Sequence, residues 1–261
     1  MLKFELKNVL RDKMNFSMLV YPFLMLAMTV FLFPLIFKME EMQGQGLEIT
    51  MILVIVMLLS MGFMITGALL GFALLDNKDE DVLQTIAVTP ISKKGYVKFK
   101  LVYTYIISVL SCFLMLAGTK LFASAEYALT YGEMTIYLFD SLTYLHILAF
   151  SFSSSLLVPA MGLSIVALSK NKIEGFAYMK ASGFLILVPM LLVFPTFKGA
   201  GQYILSIFPN FWGTQGVLNL MLPNLFDSVA SLNFYLYMLI GAVICVIYSI
   251  LGYKLFLNKT K

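Results

Sequence analysis

The sequence predicts an all-α membrane protein with six transmembrane helices, and three observations carry that prediction. Hydrophobic residues make up 61% of the 261 and charged residues only 12%, about half the charged share with which a soluble domain covers its surface. The charges are not spread evenly but gathered into clusters separated by six charge-free windows. These windows show no strict alternation of apolar and polar residues, so helices rather than barrel strands must satisfy the backbone in lipid.

The windows run Phe16–Phe37, Ile49–Leu75, Leu101–Thr119, Ser141–Ser169, Ala181–Phe197 and Ser228–Tyr253. About 20 apolar residues cross a hydrocarbon layer as helix, so five windows suffice as they stand. The fifth is short, and its span is expected to begin near Phe176, with Lys180 extending its ammonium to the interface. The spans are thus placed at about 16–37, 49–75, 101–122, 141–169, 176–197 and 228–254, within a single transmembrane domain of residues 1–261. The apolar stretch before Phe37 is too long for a signal-peptide core and has no small-residue cleavage site after it, so it is read as the first span.

Orientation follows from the lysines and arginines, which are retained on the cytoplasmic side. Lys3, Lys7, Arg11 and Lys13 precede the first span. Lys78, Lys93, Lys94, Lys98 and Lys100 lie between the second and third, Lys170 and Lys172 between the fourth and fifth, and Lys254, Lys259 and Lys261 at the end. Only Lys38, Lys120 and Lys198 fall on the opposite side. Both termini of a multi-pass cell-membrane protein are therefore expected in the cytoplasm. The tripeptides Asn15-Phe16-Ser17 and Asn258-Lys259-Thr260 match a glycosylation pattern but fall on that side, where it is not used.

Residues 1–15 place Leu2, Leu6, Val9 and Leu10 on one helical stripe, with Lys3, Lys7, Arg11 and Asp12 elsewhere. Such an amphipathic helix either lies in the headgroup plane of the lipid bilayer or packs on a partner. Asp76–Lys100 is the only cytoplasmic connection long enough for an element of its own. In it, Asp79, Glu80 and Asp81 suit the positive end of a helix dipole, and Val82, Leu83 and Ile86 form an apolar patch. Pro90 biases Thr89 out of the helical region and ends the helix near Val88. Ten residues are too few for a helix stable alone in water. Either the membrane surface or a soluble protein must hold its apolar face, and three successive acids favour the protein over anionic lipid. The stretch 198–227 is apolar but is broken by Gly199, Gly201, Pro209, Gly213, Gly216 and Pro223 into pieces too short to span. It must lie in the interface or dip in and return, and Trp212, the sole tryptophan, suits an interfacial anchor.

Little chemistry is available to such a chain. There is no G-x-x-x-x-G-K-[ST] phosphate loop, no H-E-x-x-H helix and no G-x-S-x-G elbow, so no ATP site, metal site or catalytic residue of its own is expected. Cys112 and Cys245 both sit in apolar runs and His146 is the only histidine, expected as a hydrogen-bonded helix residue. No span interior carries a charge beyond Lys180, whereas ion-coupled transporters keep such groups for a task. Energy is therefore expected from another subunit. Serines, Thr66 and the Gly67/Gly71 pair inside the spans suit close helix packing. The 18 Met and 23 Phe suit an adaptable apolar path or simply a lipid-facing filler.

Taken together, the second span ending in LLDNKDEDVLQTIAVTPISKKGYVKFK, the amphipathic start, the polar break Ser169–Gly175 and the stretch FPNFW resemble the ATP-binding-cassette type 2 exporter permeases. The resemblance covers most of the chain and rests on the order of its elements, and the acidic segment departs from the family pattern in using Asp79 and Asp81 around a single Glu80. It implies that residues 79–88 are a coupling helix docked on a cytoplasmic P-loop ATPase subunit that carries ATP and Mg. Asp79, Glu80, Asp81, Leu83, Ile86, Thr89 and Pro90 would make that contact. It implies paired extracytoplasmic, re-entrant helices at 198–227, with Pro209, Phe211 and Trp212 as a gate, the alternative being a plain interfacial cap with no gating role. It also implies a second copy or a sister permease, and no nucleic acid. Two functions remain open from the sequence. One is the permease subunit of an ABC exporter moving a hydrophobic or amphipathic substrate out of the cytoplasm or inner leaflet. The other is a stand-alone membrane transporter or membrane-embedded assembly factor.

Overall fold

The computed structural model describes residues 13–39, 45–79, 93–131, 134–191, 194, 197, 199–222 and 232–259. The amphipathic start before Lys13 lies outside the described residues, as does 80–92, which carries most of the expected coupling helix. Among the described residues, six helical segments are long and apolar enough to cross a membrane: Phe16–Phe37, Gly46–Lys78, Gly95–Glu126, Tyr144–Leu168, Lys172–Met190 and Phe234–Asn258.

The first span comprises α1 (Lys13–Ala27), a π-helical turn (Met28–Leu32) and α2 (Phe33–Phe37). Pro34 is the reason for the turn. It has no N–H to give the preceding turn, and the backbone widens just upstream, where Phe33 N–H reaches the Met28 carbonyl. In that widened register the Thr29 carbonyl faces Pro34 and would be left unpaired. The phenol of Tyr127, far along the chain, donates to it at 2.9 Å. The Thr29 hydroxyl in turn pairs with Thr119 of the third span at 2.7 Å.

The second span, α3 (Gln45–Asp79), has 35 residues and so measures roughly 52 Å at 1.5 Å per residue, well beyond the hydrocarbon. The third, α4 (Lys93–Ala123), starts well before its apolar window. The expected loop 76–100 is thereby corrected to a connection between Asp79 and Lys93. Charges end the hydrocarbon crossing but not the helix, because the polar residues find partners beyond the membrane. Asp76 pairs with Lys172 at 2.8 Å, the Asn77 amide donates to the Tyr96 hydroxyl at 3.1 Å, and Lys78 donates to the Ser169 carbonyl at 3.2 Å. Asp79, expected to open a new helix, is the last residue of α3 instead.

After a 3-10 turn (Ser124–Glu126), β1 (Ala128–Tyr131) pairs antiparallel with β2 (Met134–Tyr137), Ala128 opposite Tyr137 and Tyr131 opposite Met134. This hairpin is absent from the sequence expectations. Its sequence signal is two quartets of aromatic, Leu, Met and β-branched residues around Gly132-Glu133. Tyr127, Leu129, Leu138 and Phe139 are buried, and Tyr127 sits edge-on to both Phe37 and Phe139, each at 5.3 Å.

The fourth span is two helices, α5 (Tyr144–Ser155) and α6 (Leu157–Leu168), separated at Leu156. Pro159 cannot donate to the Ser155 carbonyl, and the chain breaks one turn earlier. At the break, the Leu156 carbonyl accepts from the Ser249 hydroxyl at 3.0 Å. Thr143 and His146 form a reciprocal capping box at the start, so His146 is the hydrogen-bonded helix residue expected. The fifth span, α7 (Lys172–Ser182) and α8 (Phe184–Met190), begins earlier than Phe176. Asn171 caps it by accepting from Glu174 N–H at 2.9 Å, a signal that the charge-based window overlooked. Lys180 lies 4.6 Å over the ring of Phe176, pointing back toward the end where Lys172 meets Asp76.

A 3-10 helix (Gly199–Ile207) and α9 (Pro209–Met221) precede the sixth span, α10 (Phe234–Lys259). Packing is organised on α3 and α6. Helix α3 lies against α6 and α4, α6 against α10, and α10 against α9, while α1 rests on α4. The fourth span is 72% buried and the second 67%, against 17% for the fifth. Between α3 and α6 the backbones approach closely. A Cβ on Gly71 would stand 2.9 Å from Ile165, one on Gly67 3.0 Å from Met161, and one on Gly162 2.7 Å from Leu70. The close approach expected of Gly67 and Gly71 is what the two helices make.

The predicted sides of the membrane sort to opposite ends of this bundle. Lys38 meets Glu126 at 2.9 Å at the hairpin end, where Lys120 also donates to the Phe139 carbonyl. Asp76, Lys78, Ser169 and Lys172 meet at the other.

Candidate functional site

A cleft lies where the loosely held fifth span meets the segment that follows it. The 3-10 helix and α9 form a hairpin of two limbs against α10, and side-chain contacts fix its depth. Tyr203 and Gln202 on the first limb meet the Tyr237 hydroxyl at 3.2 Å and 3.0 Å. Ile207, at the tip, accepts from the Tyr248 hydroxyl at 3.1 Å. The returning limb climbs past Gly241, beside Trp212, and then past Tyr237 and Met238, beside Gly216. Tyr248 lies 14 residues into α10, so the tip reaches roughly 21 Å along that helix.

Gly213 and Gly216 were expected to break this stretch, and they do not. Both are inside α9, where a Cβ would run into Ser154 and Phe150 at Gly213, and into Met238 and Tyr237 at Gly216. They let α9 seat between α5 and α10. Pro209 opens α9 at its first turn, where a missing N–H costs nothing. Of the other expected gate residues, Phe211 is fully buried and Trp212 is 8% exposed. Trp212 is therefore not an anchor facing lipid within this chain. Its indole N–H donates to the Ser206 carbonyl at 2.9 Å, tying one limb to the other, and its ring packs against Phe211, Tyr237 and Tyr203. The structure thus brings Pro209, Phe211 and Trp212 together at the hairpin tip.

Beside that tip is a cleft of about 490 Å³. Ala160, Ser164 and Leu168 of α6 form one wall, Tyr178, Ser182 and Leu185 of the fifth span the other, and Phe208 and Pro209 the end. Leu168 and Ile207 on its rim are 44% and 67% exposed, so it opens on the outer surface of the bundle, where lipid would be. Its size and apolar walls suit a drug-sized ligand. A smaller cleft of about 170 Å³ lies between the first and third spans at Pro22 and Ser111.

Polar groups inside the rest of the bundle are largely paired helix to helix. Tyr21 reaches Thr66 at 2.8 Å and the Gly62 carbonyl, Ser108 donates to Ser155 at 2.9 Å, and Ser153 donates to the Met238 carbonyl at 2.7 Å. Helix α9 is different. Asn210 Oδ1, Thr214 Oγ1, Gln215 Oε1 and Asn219 Nδ2 are buried without a hydrogen-bond partner, and among the described residues the one other such atom is Ser60 Oγ of α3. Sequence reasoning passed over these residues, although polar pairs four apart in an apolar stretch (Asn210/Thr214, Gln215/Asn219) are the signal that would have found them.

Glu80, Asp81, Leu83, Ile86, Thr89 and Pro90, the expected coupling contacts, lie outside the described residues. No cluster of metal-ligating side chains occurs among the described residues.

Over residues 5–253 the sequence matches the family described as Fluoroquinolones export permease protein Rv2686c-like. No curated protein and no solved structure is similar enough to match. The match covers nearly the whole chain, and the chain belongs to the Rv2686c-like export permease family.

Proposed function

We propose that this chain is the permease subunit of an ABC exporter that moves fluoroquinolone-like molecules, planar and amphipathic, out of the cytoplasm or inner leaflet, while a separate P-loop ATPase subunit hydrolyses MgATP. The observation that carries the reading is the family match across all six apolar spans. The chemistry of the chain agrees with it. The sequence has no phosphate loop, and the cleft beside the fifth span has the size and apolar walls that a planar drug requires.

In this reading the lysine-rich end faces the cytoplasm, with both termini there. Residues 80–88 dock on the ATPase, with Leu83 and Ile86 as buried anchors and Glu80 and Asp81 at the rim, next to Asp79 at the end of α3. Thr89 and Pro90 end the helix. A truncated central anchor generally costs more than 1 kcal/mol of binding, and rim charges less. The hairpin 199–221 enters from the extracytoplasmic side and returns. Its tip residues Pro209, Phe211 and Trp212 are the gate, held shut by the Trp212–Ser206 bond. The sparsely buried first, fifth and sixth spans leave faces for a second copy or a sister permease.

The test is transport in inside-out vesicles containing this chain and its ATPase. ATP should drive accumulation of a fluoroquinolone, followed by the drug's own fluorescence. Leu83→Asp should abolish both accumulation and drug-stimulated ATP hydrolysis while the chain still inserts, because it buries an unpaired charge in the interface. Accumulation that ignores ATP but collapses with the proton gradient would replace this reading with the stand-alone transporter. Coupling that survives Leu83→Asp would move the docking element to 170–175.

A further inference from the structure

Among the described residues, no charged side chain lines the cleft between α6 and the fifth span. A ligand there is recognised by fit and by neutral hydrogen bonds, since a charged group taken out of water would find no counter-ion. Four of the lining residues carry hydroxyls: Ser164 on α6, Tyr178 and Ser182 on the fifth span, and Tyr248 on α10. They fall into two pairs.

Ser182 gives its proton to the Met179 carbonyl at 2.7 Å, and Tyr248 gives its own to the Ile207 carbonyl at 3.1 Å. A hydroxyl has one proton to donate, so these two have only lone pairs left for a ligand. Ser164 and Tyr178 hydrogen-bond to no described residue. Ser164 departs from the pattern of its span, because Ser151 and Ser169 each donate to the carbonyl four residues back, at 2.8 and 2.5 Å, the usual way in which a helical serine is satisfied. Tyr178, on the opposite wall, is 40% exposed. The walls of the cleft thus carry two unused O–H donors, one on each side.

The two residues are also level with each other. Ser164 comes five residues before Ser169, and Tyr178 six after Lys172, so they sit roughly 8 and 9 Å in from the lysine-rich end at 1.5 Å per residue. A flat molecule between the walls would present one edge to both.

We infer that Ser164 and Tyr178 determine substrate specificity in this cleft by donating hydrogen bonds to the oxygen-bearing edge of a fluoroquinolone, where the ring keto group adjoins the carboxyl group. The aromatic rings lie against the apolar walls. The oxygens give up water on entering, and the two hydroxyls replace it. With no charge in the walls, the cleft holds the uncharged form of the drug rather than the zwitterion. An analogue without these oxygens keeps the apolar contact and loses the hydrogen bonds.

This inference rests on the proposed transport of fluoroquinolones, and its test separates the two. The full-length chain in detergent is titrated with a fluoroquinolone and with an analogue of the same ring system that lacks the keto and carboxyl groups, and binding is read from the polarisation of ligand fluorescence. Wild type should bind the fluoroquinolone about tenfold more tightly than the analogue. Tyr178→Phe and Ser164→Ala should each weaken fluoroquinolone binding about fivefold. Both should leave binding of the analogue unchanged, and the melting temperature too, because neither hydroxyl is bonded within the chain. Equal affinity of wild type for the two ligands overturns the inference, as do variants that bind the fluoroquinolone as wild type does or that weaken both ligands alike. Fluoroquinolone binding that survives Ala181→Trp places the drug outside the cleft, which overturns the inference and leaves the substrate class standing. Failure of wild type to bind either compound overturns the proposed substrate class itself.

Discussion

The second and fifth spans are neighbours made on different terms. Helix α3 presses Gly67 and Gly71 against Met161 and Ile165 with no room for a methyl group, and 67% of its span is buried. The fifth span is 17% buried, is divided at Gly183 and leaves a cleft of about 490 Å³ between itself and α6. In lipid no hydrophobic force drives helices together, so close backbone approach and polar bonds set the order of strength. Spans one to four and six are tied into the frame by that criterion, and the fifth is the wall that has room to move against it.

Substitutions that add volume should separate the two regions most sharply. Gly71→Leu would push a side chain into Ile165 and should destabilise the bundle by about 3 kcal/mol, seen as loss of a monodisperse peak in mild detergent. A Gly71→Leu protein that purifies normally would mean that the α3–α6 contact is not the frame. Ala181→Trp fills the cleft instead, from a residue on its rim. Thermal stability should change by less than about 0.5 kcal/mol, while fluoroquinolone transport falls at least tenfold if the cleft holds the drug. Smaller changes refine the picture. Ser153→Ala removes the bond that joins α5 to the Met238 carbonyl and should cost about 0.6 kcal/mol, the average for such bonds in membrane bundles, measured by denaturation in mixed micelles. Lys172→Ala breaks the half-exposed pair with Asp76 and should cost less than about 0.5 kcal/mol. A larger loss there would show that the fifth span is held more firmly at its lysine-rich end than its burial suggests.

Much of the frame was legible in the sequence because lipid imposes a simple rule on it: runs free of charge become helices. The same rule misplaced helix ends. It stopped the second span at Leu75, although Asp76, Asn77 and Lys78 remain helical beyond the hydrocarbon, and it overlooked Asn171 as the cap that starts α7. The Gly67/Gly71 contact could be read from spacing alone. Gly213 and Gly216 have a similar spacing and were misread as breaks, since a glycine that ends a helix and one that lets two helices touch look alike until the partner is known. The hairpin tip was legible as a place, through Pro209 and Trp212, but the burial of Trp212 was not. Its surroundings come from Tyr203 and Tyr237, which belong to other elements. The cleft was not legible at all, because it is assembled from α6, the fifth span and Phe208, which are remote in sequence.

The bond between Tyr127 and the carbonyl of Thr29 has a consequence in time. The two residues are 98 positions apart, and a ribosome adding about 5–20 residues per second needs roughly 5–20 s to travel between them. For that interval the first span is already made while its widened turn still lacks the phenol that completes it. The newborn helix must meanwhile borrow water or a lipid headgroup for that oxygen, or remain at a depth where one is within reach. The final seating of the first span thus waits until the β-hairpin region emerges, well after the span's own residues have been made.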